Sequence, residues 1–347
     1  FLSGLLFRFN RQSLSRGTKL HYSQINPINN RNLLWQNEDF VLPSNISECT
    51  SKNCFNISRC FKAFKFFVYP LYDEQHHLKK YFKTDKWQLS IVYEKILAIL
   101  KKSQYYTSDA DEACFFILSF DTLDRDPLSE NFVPNLDKAI ANLPENLWNN
   151  GINHLIFNLY AGTWPDYNTW DFGANFGHAM MAKASSASSD FRPSFDISLP
   201  LFSTNLPETL NDLYSKETYL QQCKISSLAL EGTSEPRYLL TFKGKRYVHG
   251  IGSESRNAIY HLHNGHDVMI LTTCKHGKDW EKMKDERCDI DNANYEKFDY
   301  DELMKNSTFC LIPRGRRLGS YRFLEALKFG CIPVILANGF IPPFSEV

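Results

Sequence analysis

The amino-acid sequence predicts an α/β protein made of two Rossmann-like, doubly wound domains that face each other across a cleft. Short strands, nearly continuous in apolar residues, alternate with amphipathic helices along most of the 347 residues. That alternation is typical of parallel sheets covered on both faces. The pattern stops at residues 203–236 and then resumes. We therefore expect ligands in the cleft, outside the carboxyl ends of the strands.

The predicted organisation has four parts. Residues 1–63 lack a sustained hydrophobic period and form an irregular stem or cap. Residues 64–202 form the first domain, residues 203–236 a linker, and residues 237–347 a second domain. The sequence begins with Phe and stops soon after a strand, so we expect a fragment at both ends and an incomplete second domain.

In the first domain, a helix at residues 90–102 shows the clearest helical period and ends in two lysines. The remaining predicted elements are strands at 65–69, 114–120, 154–159 and 195–199, and helices at 135–143 and 172–184. In the second domain the predicted elements are strands at 238–242, 268–272, 309–313 and 332–336, and helices at 254–264, 300–306 and 320–329.

The loop at residues 314–319 is the most informative segment for function. It carries two glycines and three arginines between a strand and a helix, where backbone N–H groups and the helix dipole would face an anion. Arg322 and Glu325 are three residues apart and share a helix face. An arginine suits a diphosphate and an acid suits ribose hydroxyls, so the loop predicts a nucleotide site. The alternative is a surface loop whose arginines are solvated.

Composition narrows the class of protein. The chain is 43% hydrophobic and 22% charged, which is typical of a globular protein. Its 39 basic residues balance its 39 acidic residues. No overall field therefore attracts nucleic acid, and any phosphate recognition is local.

Cysteines and glycosylation motifs predict an oxidising lumen. Three of the nine cysteines, Cys49, Cys54 and Cys60, lie within twelve residues. Zinc is the competing use, but a matching downstream Cys/His pair is missing. An odd count leaves at least one thiol over, for which Cys223 is the candidate. Asn-x-Ser/Thr glycosylation motifs occur at Asn45, Asn56 and Asn306.

Five long runs carry a resemblance to a known family. They are FILSFDTLDRD (116–126), NNGINHLIFNLYAGTWPDY (149–167), FKGKRYVHGIGSESRNAIYHLHNG (242–265), LTTCKHGKDW (271–280) and FCLIPRGRRLGSYRFLEAL (309–327). From about Cys49 to Val347 the chain resembles the exostosins, a family of heparan sulfate glycosyltransferases. The likeness is to the N-terminal, GT47-type domain, and it implies a GT-B fold. The second, metal-dependent GlcNAc-transferase domain of exostosins has no counterpart in this sequence, either because the protein lacks it or because the sequence stops before it.

The resemblance implies an inverting transfer of glucuronate from UDP-glucuronate to the GlcNAc end of a growing heparan sulfate chain. It further implies a hetero-oligomer with another exostosin and a type II membrane protein of the Golgi or endoplasmic reticulum lumen. The apolar start FLSGLLF is too short to span a bilayer. It is either the tail of a signal anchor that lies largely outside the sequence or an incidental patch. The alternative functions are a weakly active subunit that folds or activates a partner exostosin, and a lectin-like heparan-binding module.

On the donor side, we assign Arg322 to the diphosphate and Glu325 to the ribose hydroxyls. Arg256 is expected to bind phosphate or the glucuronate carboxylate, and Arg316 is the other candidate for that carboxylate. Three more donor candidates are expected just after a strand end, where a glycine would let the backbone approach a ligand. They are Lys243, Gly244 and Arg246, of which the two basic residues could equally be solvated in a turn.

On the acceptor side, an inverting transfer needs a group that takes the proton of the acceptor hydroxyl. Asp166 is the first candidate, and Asp124 and Asp126 are next. Each aspartate could instead cap a turn or helix. Asp-x-Asp also occurs at 109–111 and 289–291, but repeated matches in one chain are weak evidence, and we expect no metal and no cofactor besides the donor.

The pairing pattern of similar proteins implies four disulfides. They would be Cys49–Cys54, Cys60–Cys114, Cys274–Cys288 and Cys310–Cys331. This pattern leaves Cys223 alone.

Overall fold

The computed structural model describes residues 42–61, 63–70, 89–202, 236–248 and 250–345. Its strands form two separate sheets, and all strand pairs in both sheets are parallel. The first sheet contains β1 (Phe66–Val68), β2 (Tyr106–Thr107), β3 (Phe115–Ile117), β4 (His154–Asn158), β5 (Met180–Ala184) and β6 (Ile197–Leu199). The second contains β7 (Tyr238–Lys245), β8 (Val268–Thr273), β9 (Ser307–Pro313) and β10 (Ile332–Leu336).

The α-helices of the described ranges are mostly short. They are α1 (Ile91–Lys102), α2 (Leu136–Ala141), α3 (Glu145–Trp148), α4 (Ser253–Ala258), α5 (Cys288–Glu296), α6 (Tyr300–Lys305) and α7 (Arg322–Lys328). The structure thus confirms the predicted α/β class with parallel sheets.

Both sheets share one strand order. The first runs β2-β1-β3-β4-β5-β6 and the second runs β8-β7-β9-β10, so in each the first strand lies between the second and the third. The direction of winding reverses between the first and third strands, which is where ligands bind in doubly wound sheets. The segments after β3 and after β9 begin at these two positions. The first carries Asp124 on a loop, and the second leads into α7, which carries Glu325.

The first sheet is covered on both faces because alternate residues of each strand point to opposite sides. Phe115 and Ile117 pack on one face against Tyr93 of α1. Phe116 packs on the other face against Leu136 of α2. All five residues are at most 3% exposed, so the carboxyl edge of this sheet stands on a rigid core.

One predicted helix is wrong. Residues 172–184 do not form a helix, since Met180–Ala184 is β5 and the preceding segment is irregular. Gly173 and Gly177 both adopt φ of +55°, which breaks a helix. Every residue of β5 is buried, so packing between β4 and β6 overrides the helix propensity of Met, Ala and Lys.

A second correction concerns the end of β7, which extends to Lys245 rather than to Phe242. Lys243 and Gly244 therefore lie inside the strand, and only Arg246 follows it. The strand β2 and the helices α3 and α5 had no counterpart among the predicted elements.

The segment after β10 returns to the first sheet. Ile341 N–H donates to Ser186 O at 2.9 Å, and Phe344 N–H donates to Ser198 O at 3.0 Å. Ala187 and Phe340 form an antiparallel bridge. The carboxyl side of the second sheet is therefore tied to β5 and β6 by backbone hydrogen bonds.

All four implied disulfides are present: Cys49–Cys54, Cys60–Cys114, Cys274–Cys288 and Cys310–Cys331. Cys223 lies outside the described residues, as do most of the predicted stem and linker.

Of the asparagines in the glycosylation motifs, Asn45 and Asn306 are exposed and Asn56 is half-buried. Among the described helices, none combines the length and apolar character needed to cross a membrane.

Candidate functional site

A cavity of about 350 Å³ opens where the loops of the two sheets meet. From the first sheet it is lined by residues that follow β3 and β4, among them Asp124 and Tyr160. From the second it is lined by Tyr321 and Glu325, which stand just before and within α7. The hydroxyl groups of Tyr160 and Tyr321 contact each other across the cavity. This arrangement places one carboxylate from each side on a common cavity.

Glu325 is held by a tyrosine that the sequence did not single out. The Tyr300 hydroxyl, at the start of α6, donates to Glu325 Oε2 at 2.6 Å. Burial raises the pKa of Tyr300 well above the ordinary value for a phenol, so the hydroxyl remains protonated and acts as the donor. Glu325 also lines the cavity, and this hydrogen bond uses only one of its two carboxylate oxygens.

Arg322 is pressed against the end of β7. Its guanidinium donates to Lys243 O, at 2.8 Å from Nη2 and 3.3 Å from Nε, and lies 4.9 Å from the ring centroid of Phe242. A Cβ atom at Gly244 would stand 2.2 Å from Arg322 Nη2. A side chain at position 244 would therefore displace Arg322, and the space over Gly244 is occupied by Arg322 and Phe242.

Two further basic candidates have partners within the protein. The Lys243 amine donates to Phe298 O and lies 4.2 Å from the Tyr295 ring centroid, and burial lowers its pKa. Arg246 is 1% exposed and forms ion pairs with Asp285 (2.6 Å) and Asp291 (3.0 Å). Its hydrogen bond with Asp285 is the main cause of its raised pKa. Arg246 thus joins β7 to α5.

Arg256 holds the ends of two strands together. It is 4% exposed, and its guanidinium donates to Lys245 O at 2.5 Å and to Arg314 O at 3.0 Å. Burial lowers the pKa of Arg256 to about 10. The side chain fixes the start of the basic loop relative to β7.

The arginines of the loop after β9 are not simply solvated. Arg314 donates to the carbonyls of Gly315 and Arg316 within the loop itself. Arg316 is more exposed and donates to the Tyr167 hydroxyl at 3.0 Å. It also hydrogen-bonds to His276 Nε2 at 2.7 Å. The Arg316 contact reaches the loop that follows β4 in the first sheet.

Arg317 makes three hydrogen bonds to groups on the side of the first sheet. It donates to Asp126 Oδ2 at 2.8 Å, to Gly162 O at 2.8 Å and to Ala161 O at 3.2 Å. The backbone N–H of Gly319 also donates to Ser185 Oγ at 2.9 Å. The predicted anion loop is therefore docked on the carboxyl edge of the first sheet.

The three candidate aspartates differ in their surroundings. Asp124 is 9% exposed, lines the cavity, and accepts from Ser129 Oγ (2.6 Å) and from the Asp126 N–H (3.0 Å). Burial acts to raise the pKa of Asp126, but hydrogen bonds from its neighbours, Arg317 among them, outweigh burial and lower it. Asp166 is exposed and does not line the cavity. Of the three carboxylates, only that of Asp124 shares this cavity with Glu325.

The Asp-x-Asp pairs have local partners. Asp109 accepts from the Asp111 N–H and caps a turn, whereas Asp291 is paired with Arg246 and Arg287. One group in the described part has the spacing of metal ligands, namely Cys49, Cys54 and His178. Its two cysteines form a disulfide and offer no thiolate for zinc.

The amino-acid sequence matches known proteins over this whole region. Residues 40–347 match the Exostosin GT47 domain. This chain belongs to the exostosin GT47 family. It is 53% identical to Exostosin-1 of Mus musculus over 301 residues and 54% identical to Exostosin-1b of Danio rerio over 300 residues.

These similarities confirm the resemblance to the exostosins and support a glycosyltransferase, whereas the roles of the individual site residues stay predictions. Each of the two alignments covers 86% of this chain and 37% of the relative. The chain thus spans about 37% of the length of the curated relatives it matches.

Several site residues were missed from the sequence. Tyr300 bonds to Glu325, and Tyr321 directly precedes Arg322 at the start of α7. The position of Tyr321 next to that arginine is the signal that could have pointed to it. Asn131, Ser129 and Tyr160 lie on loops after β3 and β4. For them, the expectation that ligands bind at the carboxyl ends of strands was the available signal.

Proposed function

We propose that this protein is an inverting glycosyltransferase that adds glucuronate from UDP-glucuronate to the GlcNAc end of a growing heparan sulfate chain. The supporting observation is that, in a member of the exostosin GT47 family, carboxylates from the two sheets, Asp124 and Glu325, face one cavity. The two sheets would act as the halves of a GT-B fold. As an exostosin, the protein would work in the Golgi or endoplasmic reticulum lumen, anchored as a type II membrane protein.

In this proposal the chemistry is divided between the sheets. Glu325, oriented by Tyr300, binds the ribose hydroxyls, and Arg322 neutralises the diphosphate as it leaves. Arg316, the most accessible arginine of the loop, binds the glucuronate carboxylate.

On the first sheet, Asp124 takes the proton of the acceptor hydroxyl as the new bond forms on the opposite face of the sugar. Asp124 is preferred to Asp126 because Arg317 holds Asp126 as a paired carboxylate with a lowered pKa. It is preferred to Asp166 because Asp166 does not line the cavity. No metal takes part in this scheme.

A second candidate function also has an observation in its favour. Arg246, Arg256 and Lys243 are bonded to protein groups, as expected of a fold kept for structural reasons. In that case the chain would be a weakly active exostosin subunit that folds or activates a partner exostosin.

The test uses the full-length lumenal protein, purified without a partner. Labelled UDP-glucuronate or UDP-GlcNAc is offered with a GlcNAc-terminated heparan oligosaccharide, to wild type, to Glu325→Ala and to Glu296→Ala as a control. Glu296 is an exposed acid on α5 whose ion pair with Lys275 lies on the surface. Transfer of glucuronate that is lost in Glu325→Ala alone supports the proposal.

Transfer of GlcNAc instead of glucuronate contradicts the proposed donor. If transfer appears only with a co-expressed partner exostosin and survives Glu325→Ala, the subunit function is the correct one.

A further inference from the structure

Two tyrosines meet inside the cavity that Asp124 and Glu325 line. Tyr160 follows β4 in the first sheet, Tyr321 directly precedes α7 in the second, and both line this cavity. Their hydroxyl groups are hydrogen-bonded to each other, although 161 positions separate them in the chain. Any molecule that reaches both carboxylates must therefore share the cavity with this bridge between the two sheets.

The Tyr160 half of the bridge is held in place. Its backbone N–H donates to Leu123 O at 2.9 Å, and its carbonyl accepts from the N–H of Arg125 at 2.8 Å. The side-chain amide of Asn158 donates to the same carbonyl at 3.2 Å. Burial raises the pKa of Tyr160 well above the ordinary value for a phenol, so its hydroxyl keeps its hydrogen. This half stands on the rigid carboxyl edge of the first sheet.

The Tyr321 half can turn. Its side chain is 41% exposed and takes part in none of the apolar clusters of the described part. Within the described ranges, the bond to Tyr160 is the only hydrogen bond that this side chain makes. Its carbonyl accepts from the N–H of Glu325 at 3.2 Å and belongs to α7. A change of side-chain rotamer would thus break one hydrogen bond and leave the helix in place.

The position of this bridge matters for the two parts of a nucleotide sugar. In the proposed reaction the transferred sugar lies between the acceptor hydroxyl at Asp124 and the diphosphate at Arg322. Tyr321 is adjacent to Arg322 in the chain, and Tyr160 shares the cavity with Asp124. The sugar and the closed bridge would therefore compete for the same space, whereas the nucleotide at Glu325 would not need it.

We propose that Tyr321 is a gate, which is closed on Tyr160 in the free protein and turns aside when the sugar of the nucleotide donor enters the cavity. This inference rests on the proposed function, because it assigns the entering sugar to the donor of that reaction. Opening the gate costs the hydrogen bond between the two hydroxyls, and this cost lowers the affinity for the nucleotide sugar. UDP without a sugar does not open the gate and does not carry the cost.

Calorimetric titration of UDP and UDP-glucuronate into the full-length lumenal protein tests the gate. Tyr321→Phe keeps the ring and removes the bond to Tyr160. We expect this variant to bind UDP-glucuronate about two- to tenfold more tightly than wild type, and UDP with unchanged affinity. Tyr106→Phe is the matched control, because Tyr106 is a half-buried tyrosine in the edge strand β2. It should change neither affinity.

The direction of the effect separates a gate from a direct contact. Removing a hydroxyl that binds the sugar would weaken the binding of UDP-glucuronate, so an unchanged or lower affinity of Tyr321→Phe would overturn the gate. An equal gain for UDP would overturn it as well. Tyr160→Phe breaks the same bond from the other side, and in the double variant the two gains should not add. Gains that add fully would contradict a shared bond.

The same titrations with UDP-GlcNAc distinguish the gate from the proposed function. A gain in affinity that is confined to UDP-GlcNAc would overturn the proposed donor and keep the gate. Glucuronate transfer by wild type, without any gain in affinity in Tyr321→Phe, would overturn the gate and keep the proposed function.

Discussion

Arg317 and Asp126 form an ion pair that joins the loop after β9 to the loop after β3, across 191 positions of the chain. Arg317 Nη2 lies 2.8 Å from Asp126 Oδ2, and the two side chains are 19% and 16% exposed. The same guanidinium bonds to two carbonyls of the loop after β4. One side chain thus bonds to two loops of the first sheet, in addition to the backbone hydrogen bonds of Ile341 and Phe344.

Breaking this pair should destabilise the contact between the sheets. Because Arg317→Gln leaves a partly buried carboxylate and two carbonyls without their donor, we expect a loss of roughly 1–3 kcal/mol in the free energy of unfolding. Urea unfolding of Arg317→Gln, Asp126→Asn and the double variant measures the coupling. A coupling energy above about 0.5 kcal/mol is expected, and strictly additive losses would contradict the pair.

The Tyr300 hydroxyl should matter for donor binding. Tyr300→Phe removes the hydrogen bond to Glu325 but keeps the ring, so we expect UDP-glucuronate to bind roughly tenfold more weakly. Tyr295→Phe is the matched control, since the ring of Tyr295 contacts the Lys243 amine. Calorimetric titration with UDP-glucuronate compares the affinities of the two variants. Equal affinities would show that Tyr300 does not orient Glu325.

Gly244→Ala should displace Arg322. The new Cβ would stand 2.2 Å from Arg322 Nη2 and 2.9 Å from Phe242 Cζ, closer than any real contact. We expect UDP affinity to fall about tenfold or more, because the guanidinium loses its bonds to Lys243 O. At Gly315 the nearest atoms would be 3.5 Å from an added Cβ, so Gly315→Ala serves as the tolerated control. Unchanged UDP affinity in Gly244→Ala would show that Arg322 is not needed for the diphosphate.

The buried His154 should make the protein sensitive to acid. With its hydrogen on Nδ1, the neutral ring donates to Ile152 O and accepts from the Tyr69 hydroxyl, both at 2.9 Å. Burial lowers its pKa to about 3, whereas the unfolded chain has a pKa of about 6.5. The unfolded state therefore binds a proton first, and His154 lowers stability as pH falls from about 6.5 toward 3.

His154→Gln tests this dependence. The variant should have a lower free energy of unfolding at neutral pH. Between pH 6.5 and 4.5 that free energy should fall less steeply than in wild type, and the slopes should differ by up to about 1.4 kcal/mol per pH unit. The exposed His266 is the control for the same substitution. Identical pH slopes for wild type and His154→Gln, from thermal or urea unfolding, would contradict the assignment.

Most strands could be predicted from the sequence because parallel strands that are buried on both faces consist of nearly continuous apolar residues, as in β4 and β9. It was wrong at β5, where MMAKA has the composition of a helix and only the neighbouring strands impose an extended chain. The disulfides followed from the family resemblance, since spacing alone does not fix their connectivity.

The contacts around the candidate site could be predicted only in part. The loop after β9 was singled out as a candidate because its glycines and arginines are adjacent in the chain. Arg256 bonds to two backbone carbonyls, Arg246 pairs with Asp285, and Arg317 pairs with Asp126. In each of these contacts the partner lies at least 11 positions away in the chain. Contacts of that kind leave no local pattern.

The central claim is that Asp124 and Glu325 act on one reaction from opposite sides of the cleft. Single-turnover transfer from UDP-glucuronate tests this claim most directly. We expect Asp124→Asn to lower the rate at least about 10²-fold with UDP binding unchanged, Glu325→Ala to weaken UDP binding, and Asp166→Asn to stay near wild type. If Asp166→Asn abolishes transfer while Asp124→Asn retains it, the base lies outside this cavity and the account is wrong.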